Sequence, residues 1–242
     1  MDPKKNCGTI AIVGQPNVGK STLLNYFVGT KLSITSRKAQ TTRYQLLGIC
    51  SDSDTQYIFV DTPGYQLRHL NMMNRSLNKT VHQALKDVDV ILFMIGPGVL
   101  DEIDSKILKM IPEVTPIVLA INKVDLLKEK SKLLGFIKEL DAIDRFKAIV
   151  PISVKKSNNL EPLKHALKSF LPEQEFIFSK DELTDKNERF LSAEIVREKV
   201  FRLTGQELPY SIAVEIEKFE VIEGVRRTVS YTHLTLPTIM PV

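Results

Sequence analysis

Gly14-Gln15-Pro16-Asn17-Val18-Gly19-Lys20-Ser21-Thr22 is the stretch on which the reading of this chain turns. Its spacing is G-x-x-x-x-G-K-[ST]. The apolar run Thr9 to Val13 precedes it, and Leu23, Leu24, Phe27 and Val28 follow at helical spacing, so the loop joins a strand to a helix. Glycines at both ends let the backbone curl until its N–H groups point inward, and the helix N-terminus adds positive potential; the pair make a cradle for phosphate. Lys20 is the side chain expected to reach the β- and γ-phosphates of a nucleotide, and the Ser21 hydroxyl the one expected to ligate Mg2+. Four fixed positions at this spacing arise by chance in about 1% of chains of this length.

Working outward, short apolar runs alternate with amphipathic stretches as far as about Phe170. The spacing predicts strands at Thr9 to Val13, Tyr44 to Cys50, Tyr57 to Asp61, Val88 to Ile95, Ile117 to Asn122 and Ala148 to Ser153, with helices between them. That is an α/β fold with a doubly wound, mostly parallel sheet, in which ligands sit at the carboxyl ends of strands. Three more polar turns fall at such ends. Asp61-Thr62-Pro63-Gly64 puts a carboxylate where it can hold Mg2+ and the Gly64 N–H where it can meet the γ-phosphate. Asn122-Lys123-Val124-Asp125 reads as the base selector, because a carboxylate accepts from guanine N1–H and the 2-amino group, whereas adenine has no matching donors. Ser153-Val154-Lys155 is expected to close over the base with a backbone N–H, although valine stands where alanine is usual.

Ser36-Arg37-Lys38-Ala39-Gln40-Thr41-Thr42-Arg43 is polar and aperiodic, as expected of a segment ordered by the γ-phosphate. One of its two threonines should complete the Mg2+ shell, and Thr42 is the choice. Its basic side chains fit a solvated loop as well as an RNA contact. Together these motifs describe a chain that binds GTP and Mg2+ and hydrolyses GTP to GDP, with Lys20, Thr42 and Gly64 nearest the chemistry.

Composition sets the frame around this. The 242 residues are 43% apolar, enough for a packed core, and 33 basic against 29 acidic side chains leave a net charge of +4, which permits a nucleic-acid partner without demanding one. Cys7 and Cys50 each border an apolar run and read as buried thiols of a reducing compartment, with no disulfide or zinc framework. The N-terminal residues carry no apolar signal region and no run is long enough to span a bilayer, so a cytoplasmic protein is expected. A monomer is the expectation for its oligomeric state.

Past Pro172 the pattern changes. Residues 173 to 185 read as a linker, and a second unit starts at residue 186. Phe190, Leu191, Ile195, Val196, Val200 and Leu203 recur at helical spacing, and Tyr210 to Phe219 alternates, with Ile212, Val214 and Ile216 on one face. The last dozen residues fit neither the strand nor the helix template, and residues 230 to 242 read as a non-native tail resembling translated adapter or vector sequence, set aside in reading the fold.

The phrases G-Q-P-N-V-G-K-S-T-L-L-N, I-T-S-R-K-A-Q-T-T-R, V-D-T-P-G and I-N-K-V-D, with R-F-L-S-A-E-I-V-R-E-K and E-L-P-Y-S-I-A-V-E-I-E-K-F between Arg189 and Phe219, resemble the Era family of GTPases. The resemblance runs from Met1 to about Arg227. It implies a GTPase domain over 1 to 172 and the start of an α+β type II K homology domain over 186 to 229, acting in small ribosomal subunit assembly by binding the 3′ end of its RNA. Peripheral association with the inner face of the cytoplasmic membrane is implied too. No G-x-x-G loop follows residue 187, so weak or absent RNA binding is expected of the chain as written. Tyr65 follows D-T-P-G, where Ras-like enzymes carry a water-orienting glutamine. Asn17 resembles the asparagine that holds K+ in potassium-dependent GTPases. The alternatives are a nucleotide-gated binding module with negligible hydrolysis, and a related GTPase of transfer-RNA modification or metal transport; the Arg189 to Phe219 phrases argue against the latter pair.

Overall fold

Ile10, Ala11, Ile12 and Val13 have no exposed surface, which is why β1 (Asn6–Gly14) reads as an unbroken apolar run rather than an alternating one: it is covered on both faces. The computed structural model describes residues 4–35, 46–65, 78, 81–203, 212–222 and 225–234. It divides into two compact units, the first ending at Asp185 and the second consisting mainly of Lys186–Val242.

In the first unit β1 is flanked in parallel by β3 (Thr55–Asp61) and β4 (Val90–Ile95), and β5 (Ile117–Ile121) and β6 (Ala148–Pro151) extend the β4 side in parallel. β2 (Leu46–Ser51) pairs with β3 antiparallel, giving the order β2-β3-β1-β4-β5-β6. The chain leaves β1 toward both neighbours, so the crevice at the carboxyl ends of β1, β3 and β4 is the ligand position this topology provides. Ala11, Val13, Ile91, Phe93 and Ile95 face one side and join Ile107 of α2 (Glu102–Met110) and Phe136 and Leu140 of α3 (Lys130–Asp141) in one core cluster. On the other side Phe27 of α1 (Lys20–Val28) stacks on Phe59, with ring centroids 5.1 Å apart. Leu160, Leu163 and Leu167 of α4 (Leu160–Lys168) are buried.

The expected linker is a correction. Residues 173–185 belong to the first unit and run as a strap from the start of β1 to the free edge of β2: after Cys7 N–H donates to Pro172 O at 3.1 Å, Gln174 N–H donates to Lys5 O at 3.1 Å and Ile49 N–H to Leu183 O at 2.8 Å. Leu47 N–H donates to Asp185 Oδ1 at 3.2 Å. The fully buried Gln56 takes the N–H groups of Ile177 and Phe178 on Oε1, both at 3.0 Å, and donates from Nε2 to Phe178 O at 2.8 Å. Backbone hydrogen bonds rather than an apolar face hold this segment, so it shows no hydrophobic period.

The second unit holds α5 (Glu188–Leu203) and the antiparallel pair β7 (Ile212–Ile222) and β8 (Val225–Leu234), with a register shift between Glu215 and Lys218. The Arg189 guanidinium donates twice to Ile216 O, and the Ile216 side chain is buried. Here the expected tail is also corrected in part: Tyr231, Thr232, His233 and Leu234 pair with Glu215, Val214, Ala213 and Ile212. Threonine and tyrosine suit a strand, and the partner strand supplies the pairing that the irregular spacing hid.

Candidate functional site

The loop after β1 turns on three positive φ angles, 149° at Gly14, 63° at Asn17 and 110° at Gly19. A methyl group on Gly14 would fall 2.2 Å from Met94 O, and one on Gly19 would fall 2.4 Å from Asn122 Nδ2. Both positions therefore exclude any side chain on conformation and on space. Inside the loop, Lys20 is 6% exposed and donates from Nζ to Gly14 O at 3.1 Å and Gln15 O at 2.9 Å. Burial pushes its pKa down to about 8, and the Asp61 carboxylate offsets part of that. Ser21 Oγ donates to Asp61 Oδ2 at 2.9 Å, and Asp61 is fully buried at the end of β3. Thr62 Oγ1 donates to Ile12 O at 2.7 Å, Pro63 is buried, and Gly64 lies against Pro16. Thr22 is exposed on α1.

The base-side turns are tied to this loop. Asn122 donates from Nδ2 to Val18 O at 2.7 Å and accepts from Val154 N–H on Oδ1 at 3.1 Å, so one amide joins three loops. Lys123, with φ 65°, reaches Asn17 O with Nζ at 2.7 Å. Asp125 is exposed, and Ser153 Oγ donates to its Oδ1 at 2.5 Å. Val154 is buried and Lys155 exposed. The structure thus brings Gly14 to Thr22, Asp61 to Gly64, Asn122 to Asp125 and Ser153 to Lys155 to one end of the sheet.

The profile of the 50S ribosome-binding GTPase family matches residues 9–123. GTPase Era of Nitrosomonas eutropha is 49% identical over 220 residues, which are 91% of this chain and 74% of that protein. The chain belongs to the Era family of GTPases. Two solved Era structures share its fold, one of Era with MgGDPNP and nucleotides 1506–1542 of 16S ribosomal RNA, the other of an Aquifex aeolicus Era variant with GDP·AlF4−; each gives a TM-score of 0.84 at 41% identity, covering 90% of this chain and 74% of the other.

For an Era-family site, some parts lie elsewhere. Thr42 and the rest of the segment Ser36 to Arg43 fall at or beyond the limit of the described residues, which resume at residue 46. Three contributors carry no motif signal: Asp101, which takes Gln15 Nε2 at 2.8 Å; Ser33, whose Oγ donates to Asp61 Oδ2 at 2.7 Å; and Asn25, which fixes the Ser33 backbone. Only the fold places them near the loop. Among the described residues no group of three or more His, Cys, Asp or Glu could hold a metal, and no helix is long and apolar enough to cross a membrane. Ser21 and Asp61 are a corner of hard oxygen donors, which fits Mg2+ because that ion takes most of its ligands from phosphates and water.

Proposed function

We propose that this GTPase holds the guanine nucleotide against the Gly14–Ser21 loop, uses GTP hydrolysis as a switch, and acts on the 3′ end of small-subunit ribosomal RNA. The observation that carries the nucleotide reading is the set of direct bonds from the base-side turns to the phosphate loop, Lys123 to Asn17 and Asn122 to Val18. Base and phosphate positions are rigidly spaced, as recognition of one nucleotide requires. Asp125 reads the base edge, the Val154 turn covers it, and Lys20 turns from two carbonyl oxygens to the phosphates. Ser21 and Asp61, with Thr42, are the residues that would hold Mg2+, which supplies charge neutralisation at the phosphates. The RNA assignment is supported by the Era structure that contains 16S nucleotides.

Tyr65 stands where a water-orienting glutamine would, and its ring meets His82 edge-on at 6.4 Å. This favours two finer readings: K+ beside Asn17 supplies the missing positive charge, or hydrolysis is so slow that the chain works as a nucleotide-gated binding module. Single-turnover hydrolysis in K+ and in Na+, with GTP and ATP compared, separates them. Faster turnover in K+ that Asn17→Ala abolishes supports the ion; equal rates in both salts sink it; no turnover at all leaves the binding module; equal affinity for ATP overturns the base assignment. Titration of authentic against scrambled 3′-end RNA tests the partner: a clear preference for the authentic sequence supports it and shows the G-x-x-G loop to be dispensable, whereas equal, weak binding, the result the missing loop predicts, removes the RNA role from this chain. We place the protein in the cytoplasm as a monomer with peripheral contact to the inner membrane face, for which cell fractionation is the check.

A further inference from the structure

Asp61 accepts two hydroxyl hydrogen bonds on one carboxylate oxygen, from Ser21 at 2.9 Å and from Ser33 at 2.7 Å. The two donors are not equivalent. Ser21 is one of the residues that would hold Mg2+, so its hydroxyl would be shared between Asp61 and the ion. Ser33 is 4% exposed and is held from behind: Asn25 on α1 accepts from the N–H groups of Leu32 and Ser33 on Oδ1 at 3.0 and 2.8 Å and donates from Nδ2 to Ser33 O at 2.8 Å. That clamp fixes the backbone on both sides of the side chain and stands on the same helix that Lys20 and Ser21 open.

We propose that Ser33 is a positioning residue for Mg2+, presenting Asp61 to the ion in a fixed orientation whether or not the ion is bound. A hydroxyl held to one carboxylate oxygen restrains the plane of the group and therefore the aim of its other oxygen, and the Ser33 donor remains when Ser21 turns to the ion. Groups that orient a metal's carboxylate partner commonly change metal affinity on the order of ten- to a hundredfold when removed. Asn25 extends the device to α1, so the phosphate loop and the metal carboxylate share one hydrogen-bonded root.

The proposal rests on Ser21 and Asp61 as the Mg2+ corner, and the test separates the two. Release of a fluorescent GDP analogue is followed over a range of Mg2+ concentrations, for wild type and Ser33→Ala, and again in excess chelator. The expected result is a Mg2+ midpoint raised on the order of tenfold with metal-free GDP affinity unchanged. An unshifted midpoint, or equal weakening with and without Mg2+, overturns the proposal, since the second pattern is what a merely structural serine produces. If Ser33→Ala does not fold, Asn25→Ala is read in its place: it keeps the hydroxyl but releases its backbone, and the same midpoint decides in the same way. Wild type whose GDP release ignores Mg2+ would instead remove the metal corner itself.

Discussion

Ser153 Oγ donates to Asp125 Oδ1 at 2.5 Å while the carboxylate stays exposed, so the group proposed to read the base is held in a fixed direction. Asp125→Asn should weaken GTP on the order of a hundredfold or more and turn preference toward xanthosine triphosphate, whose carbonyl accepts from the new amide; competition binding with the two nucleotides checks it. Lys20 gives a second prediction. Its pKa is lowered from 10.5 to about 8 by burial, so between those values the folded, nucleotide-free chain binds fewer protons than the unfolded chain. Stability of that form should therefore rise with pH across the window. Nucleotide phosphates favour the ammonium, so GTP affinity should fall over the same window and binding near pH 8 should take up protons, measurable by calorimetry in two buffers of different ionisation enthalpy. The loop, Asp61 and Asp125 were legible in the sequence because their chemistry lies in contiguous strings. Ser33 and Asn25 were not, because an ordinary serine and an ordinary asparagine gain meaning only when the fold brings the first within 2.7 Å of Asp61.

At the scale of the element, α2 shows how a helix start can be linked to the site. Asp101 caps it, accepting from Ile103 N–H at 2.8 Å and Asp104 N–H at 2.9 Å on one oxygen, while the other takes Gln15 from the phosphate loop. Asp104, buried one turn in, has its pKa pushed up from 3.8 to about 6, first by burial, with the Asp101 charge adding to it and the Gln15 amide opposing it. Between those pH values the folded chain keeps a proton that the unfolded chain has lost, so stability should fall as pH rises through the window, by roughly 2–3 kcal/mol at most. Thermal melts from pH 4.5 to 7 should show that slope, and Asp104→Asn should flatten it. The strands of the first unit were legible because each is an apolar run ending in a polar turn. Their ends differ by a few residues: β1 starts at Asn6, not Thr9, since Asn6, Cys7 and Gly8 pair with Thr55, Gln56 and Tyr57 of β3 although they form no apolar run.

Taken as a whole, the chain is two units, and the hydrogen bonds that attach residues 173 to 185 to the first of them leave little trace in composition. β2 is the outermost strand of its sheet, and the N–H groups of Leu47 and Ile49 point away from β3 to Asp185 and Leu183. Without the strap those donors would form an open row beside the buried side chains of Leu46 and Ile49. Exposed strand edges of that kind template pairing with other chains. A chain ending after Asp185 should thus stay monodisperse in light scattering, whereas one ending after Pro172 should self-associate as concentration rises, and Gln56→Ala in the intact chain should move it partway in the same direction. If both shortened chains stay equally monodisperse, the edge needs no cover. If instead only the chain without the strap associates, the thirteen residues from 173 to 185 protect solubility as much as they connect, acting as a built-in guard against aggregation.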